Sequence, residues 1–532
     1  MSILDKASLI QIPSGYKSTK LYSLRPSNGT GDFTFARSSS GTRVNSQGLI
    51  ETAQVVSTTE LVTNGDFATD SNWTKGIGWT INNNKAIATN TPNGSLLYQS
   101  KTYSIGIYKV VANINIINGS LRFQIGGGFI SETFTTSGEK VFYINVTSQQ
   151  GYFGVATQTD NSNFTIDNVS VKEVIENDVP RLDYSDGSCA SLLLEGQSTN
   201  LFTHSEDFSE WNLFNATTTL NFATSPSGET NAVKITSSAT YANVFVTVSK
   251  SSSALNYTQS VFVKAVNYSI VNLISYGSSS GNRAQVSFDL SDGSVSSNAS
   301  TNGSFANPSQ SIENYGNGWY RCSLSFTSDT SSEVRPYMQF PIQMTNDNYV
   351  LLYGAQLENQ SYPTTLINTI GSSVTRNADA CSLTNVADRI NSSEGVLFVE
   401  TSYVNKGYGN SIAITDGTNS QRVQMYFNNN DLSLLLVVKV NDTIVGTHTV
   451  SSSGINWDST NKIAIKYKTN DMSFWLNGTK VGTDTSGTMF SANTLTKLGF
   501  DSGSGGSFYG KCNQIQVYNT ALSDSELAAL TT

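Results

Sequence analysis

The chain has 532 residues, and only 13 % of them are charged, about half of the ~25 % that is usual in folded proteins. The 25 Phe and 24 Tyr provide ample apolar side chains, which excludes wholesale disorder, and the length predicts roughly two to four domains. The formal net charge of −9 argues against nucleic-acid binding, because such binding requires a clustered basic surface.

Targeting signals and metal-binding cysteine pairs are not evident in the sequence. The N-terminus has no signal-peptide h-region, and no segment approaches the ~20 apolar residues of a membrane span, so we expect no membrane insertion. The four cysteines are far apart, and two disulfides are compatible with them. We prefer free thiols, as in a protein assembled inside a cell. The cysteines are Cys189, Cys322, Cys381 and Cys512.

Most periodic segments alternate apolar and polar residues, which predicts β-strands. Turn residues separate these segments every 8 to 12 residues or so, the spacing that is typical of β-sandwiches. The exception is the C-terminal sequence LSDSELAALT, where Ser523 as N-cap and Glu526 in a capping box predict a short helix. We therefore predict an all-β fold. The clearest strands are residues 140–148, 245–250, 260–266, 394–402 and 461–469.

Two segments of the sequence resemble each other and help to place the domains. Residues 63–74 (TNGDFATDSNWT) and 204–214 (HSEDFSEWNLF) both contain Asp-Phe followed by a Trp. Each segment opens a strand-rich stretch, which predicts two sandwiches in tandem before a third strand-rich unit. The predicted divisions are an N-terminal region 1–56, a jelly roll 57–175, a connector 176–202, a second jelly roll 203–372 and a C-terminal sandwich 373–532.

The sequence FWLNGTKVG (474–482) predicts a β-hairpin, because an Asn-Gly pair between alternating apolar runs favours a two-residue turn. Side chains alternate faces along a strand, so Trp475 is expected on the face opposite to Phe474 and Leu476. A sugar or a neighbouring element would then cover it. The expected cross-strand partners are Leu476 with Thr479, Trp475 with Lys480 and Phe474 with Val481.

The two jelly rolls resemble carbohydrate-binding modules of the CenC type. For the first, the residues that carry the resemblance are NGDF…W…W…IDNVSVKE within 57–175; the second, with NGWYRCSLSF at 317–326, is similar in outline. The C-terminal unit resembles concanavalin-A-like, laminin-G-type lectin sandwiches through KIAIKYKTNDMSFWLNGTKVG and KLGFDSGSGGSFYGKCNQIQVYNTALSDSELAAL. The lectin resemblance implies a sandwich fold and leaves the ligand open.

A third resemblance concerns GDFTFARSSSGTRVNSQGLIE (31–51) and NDVPRLDYSDGSCASLLLEGQSTNLFTHSEDFSEW (177–211). They are similar to two halves of one motif in virion proteins of tailed bacteriophages, where the halves follow each other almost directly. The resemblance implies that the first jelly roll is inserted between them, which costs little when the ends lie close together. Residues 1–56 and 176–202 would then pack together and attach to other virion proteins, such as capsid, decoration or tail proteins.

No catalytic residues and no cofactor are predicted. The two histidines, His204 and His448, are expected at the surface, and no strand carries the alternating carboxylates of concanavalin-like hydrolases. The possibility that acidic residues from distant segments converge on one catalytic site is left open. No metal site is predicted either. Asp66 and Asp167 are weak candidates for a structural calcium ion, with turn capping as the alternative.

Sugar binding requires exposed aromatic rings among amides and carboxylates. The candidates are Trp475 and Tyr509 in the C-terminal unit, and Trp73 and Trp79 in the first jelly roll. A core position or a contact between domains is the alternative for each tryptophan.

These observations favour a phage virion structural protein, a head fibre or spike or a tail fibre, assembled in the host cytoplasm and displayed at the virion surface. Its lectin-like domains would bind host or environmental glycans, and a homo-trimer would protect sheet edges. The alternatives are a polysaccharide depolymerase, which would release reducing sugars, and a decoration protein without a ligand, which would bind no glycan.

Overall fold

A computed structural model describes residues 2–131, 133–176, 178–341, 348–403, 410–428, 430–457 and 459–532. The chain folds into antiparallel sheets that pair face to face as three sandwiches, so the predicted all-β class is confirmed. The helices are short: Ile3–Lys6 at one end and Asp524–Thr531 at the other, the second with the predicted capping box of Ser523 and Glu526. In the described part of the chain, no helix has the length and apolar character that crossing a membrane requires.

The first sandwich pairs a six-stranded sheet with a five-stranded sheet around a core rich in Phe and Trp. The order of the first sheet is Gly138–Val146, Gly106–Asn118, Ser162–Glu176, Lys85–Thr91 and Trp79–Asn82, with Val55–Val56 also on Ser162–Glu176. The order of the second is Phe129–Ile130, Leu121–Ile125, Gln150–Thr157, Leu96–Tyr103 and Thr74–Lys75.

The second sandwich repeats this plan with a seven-stranded and a six-stranded sheet. One sheet has the order Asn212–Phe214, Ala242–Phe245, Glu333–Phe340, Ile270–Tyr276, Arg283–Asp289 and Ser294–Asn302, with Val248–Ser249 also on Glu333–Phe340. The other has the order Ala216–Ala223, Ala232–Ser237, Tyr349–Glu358, Asn256–Val266, Trp319–Thr327 and Ala306–Asn314.

The third sandwich, here called the composite sandwich, draws strands from three distant parts of the chain. One sheet has the order Arg181–Asp183, Ser191–Leu194, Gly510–Tyr518, Glu394–Tyr403, Asn461–Lys468, Met472–Leu476 and Thr479–Asp484, with Ala7–Gln11 also on Gly510–Tyr518. The other has the order Tyr16–Lys17, Lys20–Leu21, Phe33–Ala36, Ala380–Thr384, Lys497–Gly499, Asn410–Thr415, Arg422–Phe427, Leu434–Val440 and Thr443–Val450.

The composite sandwich differs from the predicted division, in which 1–56 and 176–202 form an attachment region and 373–532 a separate lectin domain. Strand Gly510–Tyr518 bonds to Ser191–Leu194 over its first half and to Ala7–Gln11 over its second. Unpaired edge strands are unstable, and the N-terminal and connector strands here supply the missing partners. All four cysteines are free, and Cys381 and Cys512 lie in this core.

Two small ribbons complete the architecture, together with two 3₁₀ turns. The ribbons pair Thr42–Val44 with Ile50–Thr52, and Ser198–Asn200 with Val374–Arg376. The turns are Phe208–Glu210 and Ser452–Gly454.

A buried network of five charged side chains joins the connector, the N-terminal region and the linker after the second sandwich. Arg181, which is 0 % exposed, bonds to Asp379 and, at 2.5 Å, to Glu195. Arg376 Nη1 is 2.6 Å from Glu195 Oε2, and Arg37 Nη1 is 3.2 Å from Asp379 Oδ1. Burial alone would raise the pKa of Glu195, but the guanidinium groups of Arg376 and Arg181 hold it well below its ordinary value. Removing one member leaves a buried charge unpaired.

Asn200 connects this network to the second sandwich. Its side chain is fully buried and donates to the carbonyls of Ala355, at 3.1 Å, and Ile367, at 2.9 Å. Its Oδ1 accepts from the backbone N–H of Leu357 at 3.1 Å. The connector is therefore fixed both to the last strand of the second sandwich and to the linker that leaves it.

We predict that Glu195→Gln lowers the free energy of unfolding of the composite sandwich by about 3 kcal/mol at about pH 7, because Arg181 and Arg376 lose their shared carboxylate. A carboxylate whose pKa is lowered on folding contributes stability above its ordinary pKa of 4.5, and this contribution is lost as the pH falls below that value. The difference in the free energy of unfolding between the variant and the wild type should therefore narrow by about 1 kcal/mol at about pH 3.5. Denaturant unfolding at the two pH values measures both effects.

Asp70→Asn is the matched control, because Asp70 pairs with Lys75 at the surface of the first sandwich. It should change stability by less than about 0.5 kcal/mol. An effect of Glu195→Gln no larger than that of the control would contradict a structural role for the network.

Candidate functional site

Trp475 lies on the face that the hairpin argument predicts, but it is not available to a sugar. Residues Trp475 and Lys480 are cross-strand partners as predicted, whereas a bulge places Phe474 opposite Gly482 in place of Val481. The indole is 5 % exposed because the C-terminal helix and the N-terminal strand cover the outer face of this sheet. Its Nε1 donates to Ser473 Oγ at 3.0 Å. As a sugar-binding candidate, Trp475 is corrected to a buried residue.

Trp73 and Trp79 are likewise core residues, 7 % and 5 % exposed. Trp73 packs 5.1 Å from Phe67 and donates its indole N–H to the carbonyl of Asn64 at 3.0 Å. Trp79 packs edge-on against Phe164, with 5.3 Å between the ring centroids. Both predictions of sugar contact are therefore corrected: in this sandwich the large apolar area of an indole is used to fill the core.

The remaining predicted candidates are partly accessible. Tyr509 is half-buried, and its ring packs against Gly196 of the connector. Asp66 Oδ1 accepts a backbone N–H from Ala68 and Asp167 Oδ1 one from Asn168, so both act as turn caps. In the described segments, no three His, Cys, Asp or Glu side chains are grouped so that they could hold a metal ion.

Aromatic rings do reach the surface on the outer face of the second sandwich. In strand Glu333–Phe340, alternate residues such as Val334 and Met338 enter the core, so Arg335, Tyr337 and Gln339 lie outside. The cross-strand partners of these three residues on the adjacent strands point to the same side, so the side chains form rows that run across the sheet. This outer face is called the recognition face below.

The recognition face carries a cluster of three aromatic rings, two from its middle row and one, Tyr276, from the next row. Phe245 is the cross-strand partner of Tyr337, and their rings are parallel within 5° at a centroid distance of 4.3 Å. Tyr276, two residues along the next strand from Ile274, packs against Tyr337 at 5.1 Å and 81°. All three rings are half-buried, so each keeps some accessible surface. Burial raises the pKa of Tyr337, which keeps its hydroxyl neutral.

A row of amides runs beside the aromatic cluster. Gln339 Nε2 donates to Asn243 Oδ1 at 3.1 Å, and Asn272 Nδ2 donates to Gln339 Oε1 at 3.3 Å. Ser287 Oγ donates to Asn272 Oδ1 at 2.7 Å and extends the row to a fourth strand. Each amide has more donors and acceptors than these bonds use, so oriented polar atoms remain for a ligand.

Arginines form the third row. Arg335 and Arg283 are the two cross-strand partners of Tyr276, one on each neighbouring strand. Arg335 Nε donates to the carbonyl of Gly277 at 2.9 Å. Arg283 Nε donates to Gln285 Oε1, also at 2.9 Å. The two guanidinium groups are therefore oriented beside the Tyr276 ring before any ligand arrives.

The first sandwich carries a related but smaller surface on the corresponding sheet. Tyr98 and Tyr152 pack edge to face at 5.6 Å, and Gln124 Nε2 donates to the Tyr152 hydroxyl at 2.8 Å. Gly154 is the partner of both Tyr98 and Gln124, and a Cβ there would lie 2.8 Å from the carbonyl of Leu97. In each of the two sheets, a short edge strand follows the Asp-Phe…Trp segment. The Tyr pair lies on the second and third strands from that edge, and Phe245 and Tyr337 occupy the same two positions in their sheet.

The composite sandwich has a polar hollow of about 690 Å³ beside the N-terminal region. Its lining includes Thr30, Asn385, Asp388 and Arg389. Arg389 bonds within the hollow to Asp388 and Thr30. The residues that line it include no aromatic side chain, which makes it a weaker candidate for sugar recognition than the recognition face.

Sequence reasoning missed the recognition face, although its pattern is present. Asn-x-Phe at 243–245, Asn-x-Ile-x-Tyr at 272–276 and Arg-x-Tyr-x-Gln at 335–339 each place an aromatic and a polar residue on one side of a strand. What the pattern does not reveal is that the three strands are neighbours in one sheet.

Comparison with known proteins gives structural likeness at low similarity. The CBM40 module of the Ruminococcus gnavus IT-sialidase, bound to α2,3 sialyllactose, is 18 % identical over 26 % of this chain and 83 % of the module, with a TM-score of 0.23. The CBM22-1-CBM22-2 tandem domain of Paenibacillus barcinonensis Xyn10C is 11 % identical over 58 % of this chain and 99 % of its own, with a TM-score of 0.22.

Trypanosoma rangeli sialidase is 11 % identical over 93 % of this chain and 97 % of its own, with a TM-score of 0.22. No family model and no curated protein matches the chain. At these identities and TM-scores, the likeness does not extend beyond the β-fold.

We predict that Trp475→Phe lowers the free energy of unfolding by about 1 to 2 kcal/mol, because the buried bond to Ser473 and part of the indole packing are lost. Binding of any polysaccharide should remain within twofold of the wild type. Denaturant unfolding and isothermal titration measure the two quantities. A variant of full stability that has lost sugar binding would show that the helix does not cover the indole in solution.

Proposed function

We propose that this protein binds glycans through the recognition face of the second sandwich. The observation that carries the proposal is a cluster of aromatic rings on one sheet face, Phe245, Tyr337 and Tyr276, beside the amides of Asn243 and Gln339. Sugar C–H groups pack against aromatic rings, and sugar hydroxyls bond to amides. Both kinds of group are here held in place by neighbouring side chains, so little side-chain freedom is lost on binding.

The shape of the surface fits a polysaccharide chain better than a small molecule. The aromatic and polar side chains lie on the outer face of an extended sheet and span several neighbouring strands, as contacts with successive sugars of a chain require. An open face buries less of its ligand than a deep pocket, and each contact is correspondingly weak. Repeated copies would then provide avidity without new contacts.

The wider proposal is that the protein is a structural component of a tailed-phage particle, a head fibre or spike or a tail fibre, displayed at the virion surface. The sequence resemblance at 31–51 and 177–211 supports it. So does the contact between these two segments, in which the N–H of Val44 donates to Asp183 Oδ1 at 2.9 Å and the N–H of Tyr184 donates to the carbonyl of Val44 at 3.0 Å.

The first sandwich has the geometry of an insertion between those segments. Val55–Val56, where the chain enters, pairs with the end of Ser162–Glu176, where it leaves. Adjacent entry and exit points let a module be added without disturbing the host fold. In this proposal the composite sandwich contacts other virion proteins, three copies assemble around an axis, and binding breaks no bond and uses no cofactor.

We predict that Tyr337→Ala weakens binding to a polysaccharide ligand at least about tenfold, equivalent to ~1.4 kcal/mol, because the ring at the centre of the aromatic cluster is removed. A panel of bacterial capsular and cell-wall polysaccharides, tested by affinity electrophoresis, identifies the ligand and compares the variants. Tyr22→Ala is the matched control, since Tyr22 is 40 % exposed and lies in the N-terminal region. Equal losses in both variants, or reducing-sugar release by the wild type, would contradict a binding function at this face.

We predict that antibodies against the second sandwich label the surface of purified phage particles, on heads or on tails, when the particles are imaged by electron microscopy. Cross-linking of the isolated protein should give trimers, because closed symmetric assembly protects sheet edges. Intact particles that carry no label would contradict the virion assignment and leave the glycan site unaffected.

A further inference from the structure

We infer that the recognition face selects anionic polysaccharides, with Arg283 as the residue that contacts the negative group. This inference rests on the proposed glycan-binding function of the same face and specifies the chemical class of its ligand. It depends on the charges around Tyr276.

The two arginines beside Tyr276 differ in how their charge is balanced. Arg335 has a carboxylate nearby, because its Nε is 3.5 Å from Glu333 Oε1. Arg283 bonds to neutral groups, the Gln285 amide and the carbonyl of Ser280 at 3.1 Å, and its Nη2 is 3.2 Å from the side-chain amide of Asn302. Among the described residues, Arg283 forms no ion pair. Its half-buried guanidinium therefore adds a positive charge to the face that the protein does not neutralise.

The acidic residues that approach this region are held by other partners. Asp329 accepts from Asn282, at 2.9 Å, and from Ser331, at 2.5 Å. Asp289 is on the same strand as Arg283 but six residues away, roughly 20 Å along the strand, and it accepts from Ser291. The chain as a whole has a formal net charge of −9, so the unpaired Arg283 gives this surface a local positive charge that the overall composition does not predict.

Arginine is suited to this role because its planar guanidinium binds oxyanions with two hydrogen bonds and keeps its charge at any physiological pH. The existing bonds from Nε to Gln285 and from Nη1 to Ser280 restrict the rotation of the group. Each terminal nitrogen carries two N–H groups, so donors remain for an oxyanion. Arg283 lies on the strand next to that of Tyr276, one strand spacing of about 4.8 Å away. A sugar ring that packs against Tyr276 and Tyr337 can therefore bring one of its substituents to Arg283. A carboxylate or sulfate at that position neutralises Arg283, whereas a neutral sugar leaves the charge unpaired.

The expected specificity can be tested with one polymer in two charge states. Polygalacturonate and its fully methyl-esterified form share a backbone and differ in the charge of the carboxyl group. Dextran sulfate and dextran form a second pair, in which the anion is a sulfate ester. Affinity electrophoresis and isothermal titration with the full-length protein provide the dissociation constants, measured at low and at high NaCl because charge pairing weakens with salt.

We predict that the wild type binds at least one anionic polymer tenfold or more tightly than its neutral partner, and that Arg283→Gln removes most of this difference. Gln keeps polar contacts but not the charge. Lys264→Gln is the matched control, since it removes one positive charge from strand Asn256–Val266 of the opposite sheet and should leave the preference unchanged. An unchanged circular dichroism spectrum and thermal midpoint verify that each variant is folded.

Preference within the polygalacturonate pair assigns a carboxylate, and preference within the dextran pair assigns a sulfate; either supports the inference if Arg283→Gln abolishes it. Equal binding of charged and neutral polymers, or a preference that survives in Arg283→Gln, overturns it. In that case, sensitivity to Tyr337→Ala still upholds the glycan-binding function. Binding that is indifferent to Tyr337→Ala, or no binding to any of the polymers and the wider panel, overturns both.

Discussion

Arg181 is enclosed by two carboxylates, Glu195 and Asp379, that come from opposite ends of the second sandwich in sequence. A buried charge is stable only when its partners are in place. Moving the linker away from the connector would leave Arg181 without Asp379, so the two segments are held together. The entry and exit of the second sandwich are thereby joined at the composite sandwich. With Arg37 added from the N-terminal region, the network joins three distant segments of the chain. The position of the recognition face relative to the rest of the molecule depends on this small set of contacts.

The two jelly-roll sandwiches use one framework and differ in what they display. Trp73 and Trp211 have the same structural role: each indole N–H donates to a backbone carbonyl of the segment that opens its sandwich, Asn64 or His204. The tryptophans are thus part of the framework, and the partly accessible aromatic rings are Phe and Tyr on the outer faces of the sheets. The framework sets the spacing of the strands, and single side chains on alternate positions decide what each module can recognise.

How much could be predicted from sequence depended on the range of the contacts involved. The all-β class, the capping box at Ser523 and the pairing of Trp475 with Lys480 are local, and the structure contains them. The bulge beside Phe474 and the helix over Trp475 depend on packing between elements. The face of Trp475 was therefore predictable, whereas the choice between a sugar and a neighbouring element as its cover was not. The recognition face was missed because its period-two pattern is that of any half-buried strand, and only the sheet order brings Phe245, Tyr337 and Tyr276 together.

The composite sandwich has a consequence for the order in which the protein folds. Ser8 and Val517 are hydrogen-bonded neighbours although 509 residues separate them. Contacts of such long range are slow to form, whereas the other two sandwiches are closed within themselves. During synthesis the two jelly rolls can each fold as soon as they leave the ribosome, while strand Ala7–Gln11 waits for Gly510–Tyr518. Until then its backbone groups stay unpaired, so we expect the pairing of these two strands to complete folding after both jelly rolls have formed.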